Sequence, residues 1–394
     1  MGETREKKAS KRSLKTCRNK MKMSSQSATT SDTAPDRASI PPMTVPPSLL
    51  PYDQSLVTIK ATPERGLGLF AARRIREGTI VLAEVPTFRF VGDEEADGEL
   101  DQLLRQGYDE LPKKSRNSYL KLHNSKKAGF SKLKSIYFSN CYNLEPPRSV
   151  HGGSCVGITA SRINHSCVPN VQFSFEAEAP TWLFQSLDSD SSGSEATASG
   201  TTHSDTTARP LGVMLFHAIK DIQAGKEIVS NYESAYLLAA GRQLKQQMYY
   251  GFICDCLACI GLKSGKQHWS CSDDRRCAMI MCRRRVDQAE GEWQSKARCL
   301  GSSHQNFEGG GATECGQVIA TLERLADLLG KEGLRGVELA NTYKELAKWS
   351  QRAGDHDAAK KWCLHERDTS IIAFGAWSRR VEEVDQRLDE LDQV

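Results

Sequence analysis

The sequence predicts an α+β protein in which a β-rich unit of short sheets is interrupted by a helical insert and followed by an α-helical C-terminal region. Three observations predict it. Short β-branched and aromatic runs bounded by Gly, Pro and charged residues occur from Leu56 to Val91 and return at Val171–Phe175 and Leu211–Phe216, a strand-and-turn pattern. Residues 98–135 change to helical spacing, with Leu100, Leu103, Leu104, Tyr108 and Leu111 preceding Tyr119, Leu120 and Leu122. Residues 315–394 keep a helical period.

Residues 1–50 hold too few apolar side chains to offset the entropy of ordering and read as a disordered tail, basic first and then Ser/Thr/Pro-rich. The whole chain is +4, but residues 1–30 carry nine Lys/Arg and two Glu, leaving 44 basic against 47 acidic residues, or −3, for the rest. The basic excess is therefore the tail's, and a positive nucleic-acid face on the folded part is not expected. A Lys-dominated tail containing Glu3 and Glu6 fits a nuclear localisation signal or a plain solvated tail better than a mitochondrial leader. No apolar window approaches a membrane span and no secretory signal is evident, so a soluble protein of nucleus or cytoplasm with reduced cysteines is expected.

The first strands are Leu56-Val57-Thr58-Ile59, Gly68-Leu69-Phe70-Ala71, Thr79 to Val85 and Phe88 to Val91, within a β-rich unit assigned to residues 54–236. A Ser/Thr/Asp/Gly stretch over 186–209 reads as a flexible loop joining two strands. Residues 237–262 end in a cysteine-rich hairpin, and residues 263–314, rich in Cys, Gly and Ser, read as a linker without assignable structure. In the helical region, Ala340, Tyr343, Leu346 and Ala347, then Gly354-Asp355, then Ala358, Ala359 and Trp362 have the spacing of a tetratricopeptide-like helix pair.

Four constellations carry chemistry. Arg65-Gly66-Leu67-Gly68 is a glycine turn between two strands, which lacks the following helix of a dinucleotide fingerprint. Arg162-Ile163-Asn164-His165-Ser166-Cys167-Val168-Pro169-Asn170 is too rich in hydrogen-bonding and metal-capable groups for a plain loop. Gly225-Lys226-Glu227-Ile228-Val229-Ser230-Asn231-Tyr232 is a turn feeding a strand that ends on an aromatic hydroxyl. Last comes Tyr250-Gly251-Phe252-Ile253-Cys254-Asp255-Cys256-Leu257-Ala258-Cys259. Its three thiolates can wrap a cation, but structural zinc takes four ligands, so a fourth must come from elsewhere. Cys271, Cys277 and Cys282 form a looser cluster whose gaps fit no common ligand pattern.

Together and in this order, these elements resemble the SET-domain protein lysine methyltransferases over residues 56–260, in the SMYD-like form and closest to fungal SET proteins without a MYND finger. Only Cys141 and Cys155 lie between Val91 and Gly157, so the inserted MYND finger is absent. The resemblance implies a SET fold with a knotted cofactor loop, a post-SET zinc hairpin, and S-adenosylmethionine-dependent methylation of lysine in a protein, histone or otherwise. It implies that Tyr232 is the catalytic tyrosine and also borders the cofactor. Arg65, Gly66, Leu67 and Gly68 would form one cofactor loop, Ser161, Ile163, Asn164 and His165 a second, with Asn140 and Phe252 completing the site. Tyr142 and Tyr250 would line the substrate-lysine channel, and Cys167 would join Cys254, Cys256 and Cys259 on a structural zinc ion. A strand-end tyrosine is ordinarily a satisfied core residue; its position after Gly225-Lys226-Glu227-Ile228 is what reverses that reading. The competing function is a non-catalytic SET-fold adaptor binding protein partners through its helical C-terminus, which a deviant Asn164, His165 or Tyr232 would have favoured.

Overall fold

The computed structural model describes residues 52–63, 65–91, 97–144, 153–177, 183, 212–259, 268–299 and 311–393. The chain divides into two units, 1–44 and 45–394, and all described residues belong to the second. The expected tail over 1–50 and the expected loop over 186–209 lie outside the described residues.

Strands β1 (Val57–Thr62) and β2 (Gly66–Ala71) form an antiparallel ribbon in the register Val57↔Ala71 to Thr62↔Gly66. The turn between them is closed by Thr62 Oγ1 donating to the Gly66 carbonyl at 3.0 Å, and Gly66 takes φ +73°, a left-handed conformation that glycine adopts without steric cost. Strand β3 (Ile80–Glu84) pairs antiparallel with residues Val213–Ala218 in a central three-stranded sheet, and β4 (Phe88–Val91) pairs antiparallel with residues Gly153–Val156 in a second.

Helices α1 (Asp97–Glu110), α2 (Lys113–Tyr119) and α3 (Lys132–Asn140) follow β4. Their apolar faces meet the second sheet in a cluster built on Phe88, Leu104, Tyr119, Ile136, Tyr137 and Val156. Each such side chain taken fully out of water contributes roughly 1.5–3 kcal/mol. The sheet is completed by β5 (Tyr142–Leu144) and β6 (Gly153–Val156).

The two-residue strand β7 (Asn164–His165) pairs in parallel with β10 (Val229–Ser230), bringing together segments far apart in sequence. Between them come β8 (Val171–Glu176) and β9 (Val213–Ala218). All six residues of β9 are buried, as expected of a strand covered on both faces.

Helix α4 (Ala239–Tyr250) inverts the usual amphipathic rule: Arg242 and Gln246 are fully buried, whereas Leu244 and Met248 are 61% and 65% exposed. Within the segment 237–262, Ala239–Tyr250 thus form a helix, and Cys254, Cys256 and Cys259 lie in the loop that follows it. An inward polar face carries no hydrophobic period, which is why the helix was not visible.

The reading of 263–314 as a linker is corrected over its described residues, 268–299 and 311–314. Residues His268–Cys299 form one 32-residue helix, α5, and Gly311–Glu332 begin another, α6. Met279, Cys282 and Val286 are buried on α5, with Ala289 and Trp293 packed beside them, a seam at intervals of three and four residues. The intervening Arg283, Arg284 and Arg285 dominate the composition here and mask that seam in the sequence.

Helices α7 (Val337–Arg352), α8 (His356–Phe374) and α9 (Arg379–Leu391) complete the C-terminal region. Gly354 at φ +76° and Asp355, whose carboxylate accepts the Ala358 N–H at 2.9 Å, turn α7 into α8. Leu322, Leu325, Leu329, Leu346 and Trp349 form the core of this region. Helix α8 lies against β8 and β9, so the central sheet is covered by the C-terminal region.

Candidate active site

Tyr232 stands just beyond β10 and is held at both ends. Its hydroxyl donates to the Ile163 carbonyl at 2.6 Å, and its N–H donates to His165 Nδ1 at 3.1 Å. Because β7 and β10 are adjacent parallel strands with Ser230 opposite His165, Tyr232, two residues further along, comes within reach of the His165 ring. The His165 ring meets Tyr232 at 5.1 Å, and the Tyr250 ring packs on Tyr232 at 5.0 Å.

A cavity of about 310 Å³ opens here, lined in part by Tyr142, Ser161, Phe173, Ser230, Tyr232 and Tyr250. Tyr142 is set by its hydroxyl on the Ala160 carbonyl at 3.2 Å and by rings at 4.8 Å (Phe173) and 5.2 Å (Phe216). Burial pushes the phenols of Tyr142, Tyr232 and Tyr250 above their ordinary range, and their mutual proximity adds to this for Tyr232. All three are therefore neutral hydroxyls at working pH. The connection from α6 to α7, Leu334 to Glu338, forms the far wall of the same cavity.

A second group of residues gathers on Glu227. Its carboxylate takes Arg65 Nη2 at 2.9 Å and Asn164 Nδ2 at 2.7 Å, and Asn164 also reaches the Leu67 carbonyl at 3.4 Å. Gly68 lies between them: a Cβ there would sit 2.7 Å from Glu227 Oε1 and 3.0 Å from Asn164 Nδ2. Only glycine lets β2 approach this network so closely.

The four thiols Cys167, Cys254, Cys256 and Cys259 converge with their sulfurs all within 4.8 Å of one another. Cys167 Sγ lies 4.0 Å from Cys254 Sγ and 3.6 Å from Cys259 Sγ. Thiolates 2.3 Å from a tetrahedral zinc ion would stand about 3.8 Å apart, so the donor set and its spacing fit zinc. Among the described residues no other group could hold a metal. Cys271 and Cys277 are exposed on α5 while Cys282 is buried in the helical core, so these three do not converge.

The residues expected from sequence fall into connected sets. Asn140, Tyr142, Ser161, Tyr232 and Tyr250 line the cavity. Arg65, Leu67, Gly68 and Asn164 share the Glu227 network, with Gly66 making the turn before them. Ile163 and His165 join the two sets through Tyr232, and Phe252 packs between the His165 ring, at 5.9 Å, and the cysteine cluster. The amide nitrogen of Asn140 donates to two backbone carbonyls, His123 at 2.8 Å and Ile136 at 2.6 Å.

Several residues that hold this arrangement together carry no clear sequence signal. Glu227 stands inside the Gly225–Tyr232 motif, where a Glu directly before an apolar strand is its one signal. Glu84 accepts the Thr159 and Ala160 N–H groups at 2.9 and 2.7 Å, and a Cβ at Gly157 would lie 2.4 Å from its Oε2. It fixes the backbone that presents Ser161, and burial raises its pKa against the lowering effect of those amides. Arg242, Gln246 and Arg276, all fully buried, lie beside or reach toward the cysteine loop and carried no sequence signal.

Residues 66–233 match the model of the SET domain. The chain is 24% identical over 209 residues to the histone-lysine N-methyltransferase set5 of Schizosaccharomyces pombe, covering 53% of this chain and 52% of that protein. It is 22% identical over 225 residues to a SET domain-containing protein of Acanthamoeba polyphaga mimivirus, covering 50% of this chain and 75% of that one. Among solved structures, the SET domain of LSMT bound to lysine and AdoHcy aligns over 87% of this chain and 88% of that chain at 13% identity and a TM-score of 0.29. The chain thus spans about half the length of the fission-yeast relative.

Proposed function

We propose, because residues 66–233 match the model of the SET domain, that this chain transfers a methyl group from S-adenosylmethionine to the side-chain amine of a lysine in another protein. The observation that carries the proposal is the setting of Tyr232. Its ring borders the cavity beside Tyr142 and Tyr250, and both its hydroxyl and its N–H are tied to β7 or the residue just before it.

Arg65, Leu67, Gly68 and Asn164 would hold the cofactor from one side, with Asn140, Ser161, Ile163, His165 and Phe252 contributing around them. When bound, S-adenosylmethionine supplies a methyl group on a cationic sulfur. A lysine amine has a pKa of about 10.4 and must shed a proton before it can attack. Tyr142, Tyr250 and Phe173 strip water from an entering side chain, and desolvation favours its neutral form, so no strong base is needed. Tyr232, a neutral phenol fixed at both ends, orients the amine, and catalysis rests on positioning and electrostatics. Cys167, Cys254, Cys256 and Cys259 would hold a structural zinc ion that ties the loop after α4 to β7.

The fission-yeast relative is named a histone-lysine methyltransferase, and the −3 charge of residues 31–394 suits a basic peptide, so core histones are the first substrates to test. Purified chain is incubated with methyl-labelled S-adenosylmethionine and either core histones or a whole-cell extract, with Tyr232→Phe as control. Label on lysine, reduced on the order of a hundredfold in the variant, is expected. No label on any protein together with no cofactor binding would refute the proposal.

A further inference from the structure

The contacts of His165 are contradictory until its tautomer is fixed. Its Nδ1 accepts the Tyr232 N–H at 3.1 Å, and its Nε2 lies 2.6 Å from Gln246 Nε2 and 3.3 Å from Cys167 Sγ. A neutral imidazole has one acceptor nitrogen, and here it faces Tyr232. Nε2 therefore carries the proton, and an amide NH₂ opposite it would set two donors against each other at 2.6 Å. In that orientation Gln246 Oε1 meets no donor at all. The two ends of a side-chain amide have the same shape, so hydrogen-bond logic decides which faces the ring. It places the oxygen of Gln246 on His165 Nε2–H at 2.6 Å, giving up only the longer 3.9 Å contact of the amide nitrogen with Cys167 Sγ.

We infer that Gln246 is a positioning residue for methyl transfer: its amide oxygen holds His165 in the Nε2–H tautomer, which leaves Nδ1 free to accept from Tyr232 and fix that tyrosine. The inference rests on Tyr232 being the methyl-transfer tyrosine. Gln246 is built for the task. It is fully buried, and its backbone carbonyl accepts the N–H of Gly251, the αL cap of α4, at 3.0 Å. Arg242, Gln246 and Tyr250 recur every four residues along α4, so one helix face serves the cysteine loop, the histidine and the cavity wall in turn. The Tyr250 ring, on the same face, packs on Tyr232.

The test uses the full chain labelled with ¹⁵N-histidine, with His165 assigned through His165→Asn, and compares it with Gln246→Met, which keeps length and apolar volume but removes the amide oxygen. In the unmodified protein the His165 nitrogens are expected to show a protonated Nε2 and an unprotonated Nδ1. An Nδ1–H tautomer there overturns the inference whatever the variant does. In Gln246→Met the His165 pattern is expected to become a mixture of tautomers, with kcat falling roughly tenfold or more. A variant that keeps both the tautomer and kcat also overturns it. A chain that methylates nothing removes the functional proposal, yet the tautomer comparison still decides whether Gln246 sets the state of His165.

Discussion

His217 offers a quantitative test of how the β-rich core is assembled. It is fully buried in β9, neither ring nitrogen has a hydrogen-bond partner, and the Trp377 ring lies 5.8 Å away. Burial alone depresses its pKa from 6.5 to about 3, so the folded protein keeps it neutral while the unfolded chain protonates below about pH 6.5. Stability rises with pH wherever the unfolded state binds more protons. Here that window runs from about 3 to 6.5, and folding stability falls as pH drops through it. Between about pH 7 and pH 5 the single linked proton is worth ~2 kcal/mol. His217→Leu removes the titration without opening a large void. Urea unfolding followed across that interval is expected to show the native sequence losing about 2 kcal/mol more than the variant. His165, also held low at about 4 by burial, is present in both proteins and cancels. Parallel losses in the two proteins would refute the reasoning, because they would mean that His217 finds a partner or water that accommodates its charge.

Two further outcomes follow from the site. Glu227→Ala leaves Arg65 and Asn164 without their shared acceptor; since a hydrogen bond to a charged group is worth about 1.5–3 kcal/mol, S-adenosylmethionine is expected to bind at least about tenfold more weakly by calorimetry, and an unchanged Kd would count against the cradle. One zinc ion per chain is expected by metal analysis of the native protein and substoichiometric zinc in Cys256→Ser, with a lower unfolding temperature; well-folded native protein without zinc would count against the four-thiolate assignment.

How much was legible in the sequence depended on whether a feature had a period or a motif. The short strands from Val57 to Val91 and the seam of α7 and α8 announce themselves through alternation and helical spacing. The convergence of Cys167 with the three later cysteines was accessible only through resemblance, because spacing could not name the fourth ligand. Helices α4 and α5 were not legible. One buries arginine and glutamine while exposing leucine and methionine, and the other sets its apolar seam among arginines. Glu84 and Glu227 were missed for a related reason. A carboxylate that serves backbone amides or a distant side chain has no local signature, since its partners lie 75 and 162 residues away.

The two buried arginines also explain why the helical region cannot be a detachable module. Four thiolates around a zinc ion would leave a net charge of about −2 in a buried loop, a costly arrangement without compensation. Arg242 supplies one positive charge, with Nη2 on Cys259 Sγ at 3.5 Å, and comes from α4. Arg276 supplies another from α5, donating to the Cys167 carbonyl at 2.8 Å. Arg276 is in turn paired with buried Glu332 at 3.0 Å, at the end of α6, which also takes Arg275 at 2.6 Å. Removing one member of such a chain strands a buried charge. Two residues beyond Glu332 the chain reaches Leu334, where the wall of the tyrosine-lined cavity begins. The cysteine loop, the buried charges and the outer wall of the cavity are therefore consecutive parts of one structure, and the C-terminal helices complete the site that residues 66–233 begin.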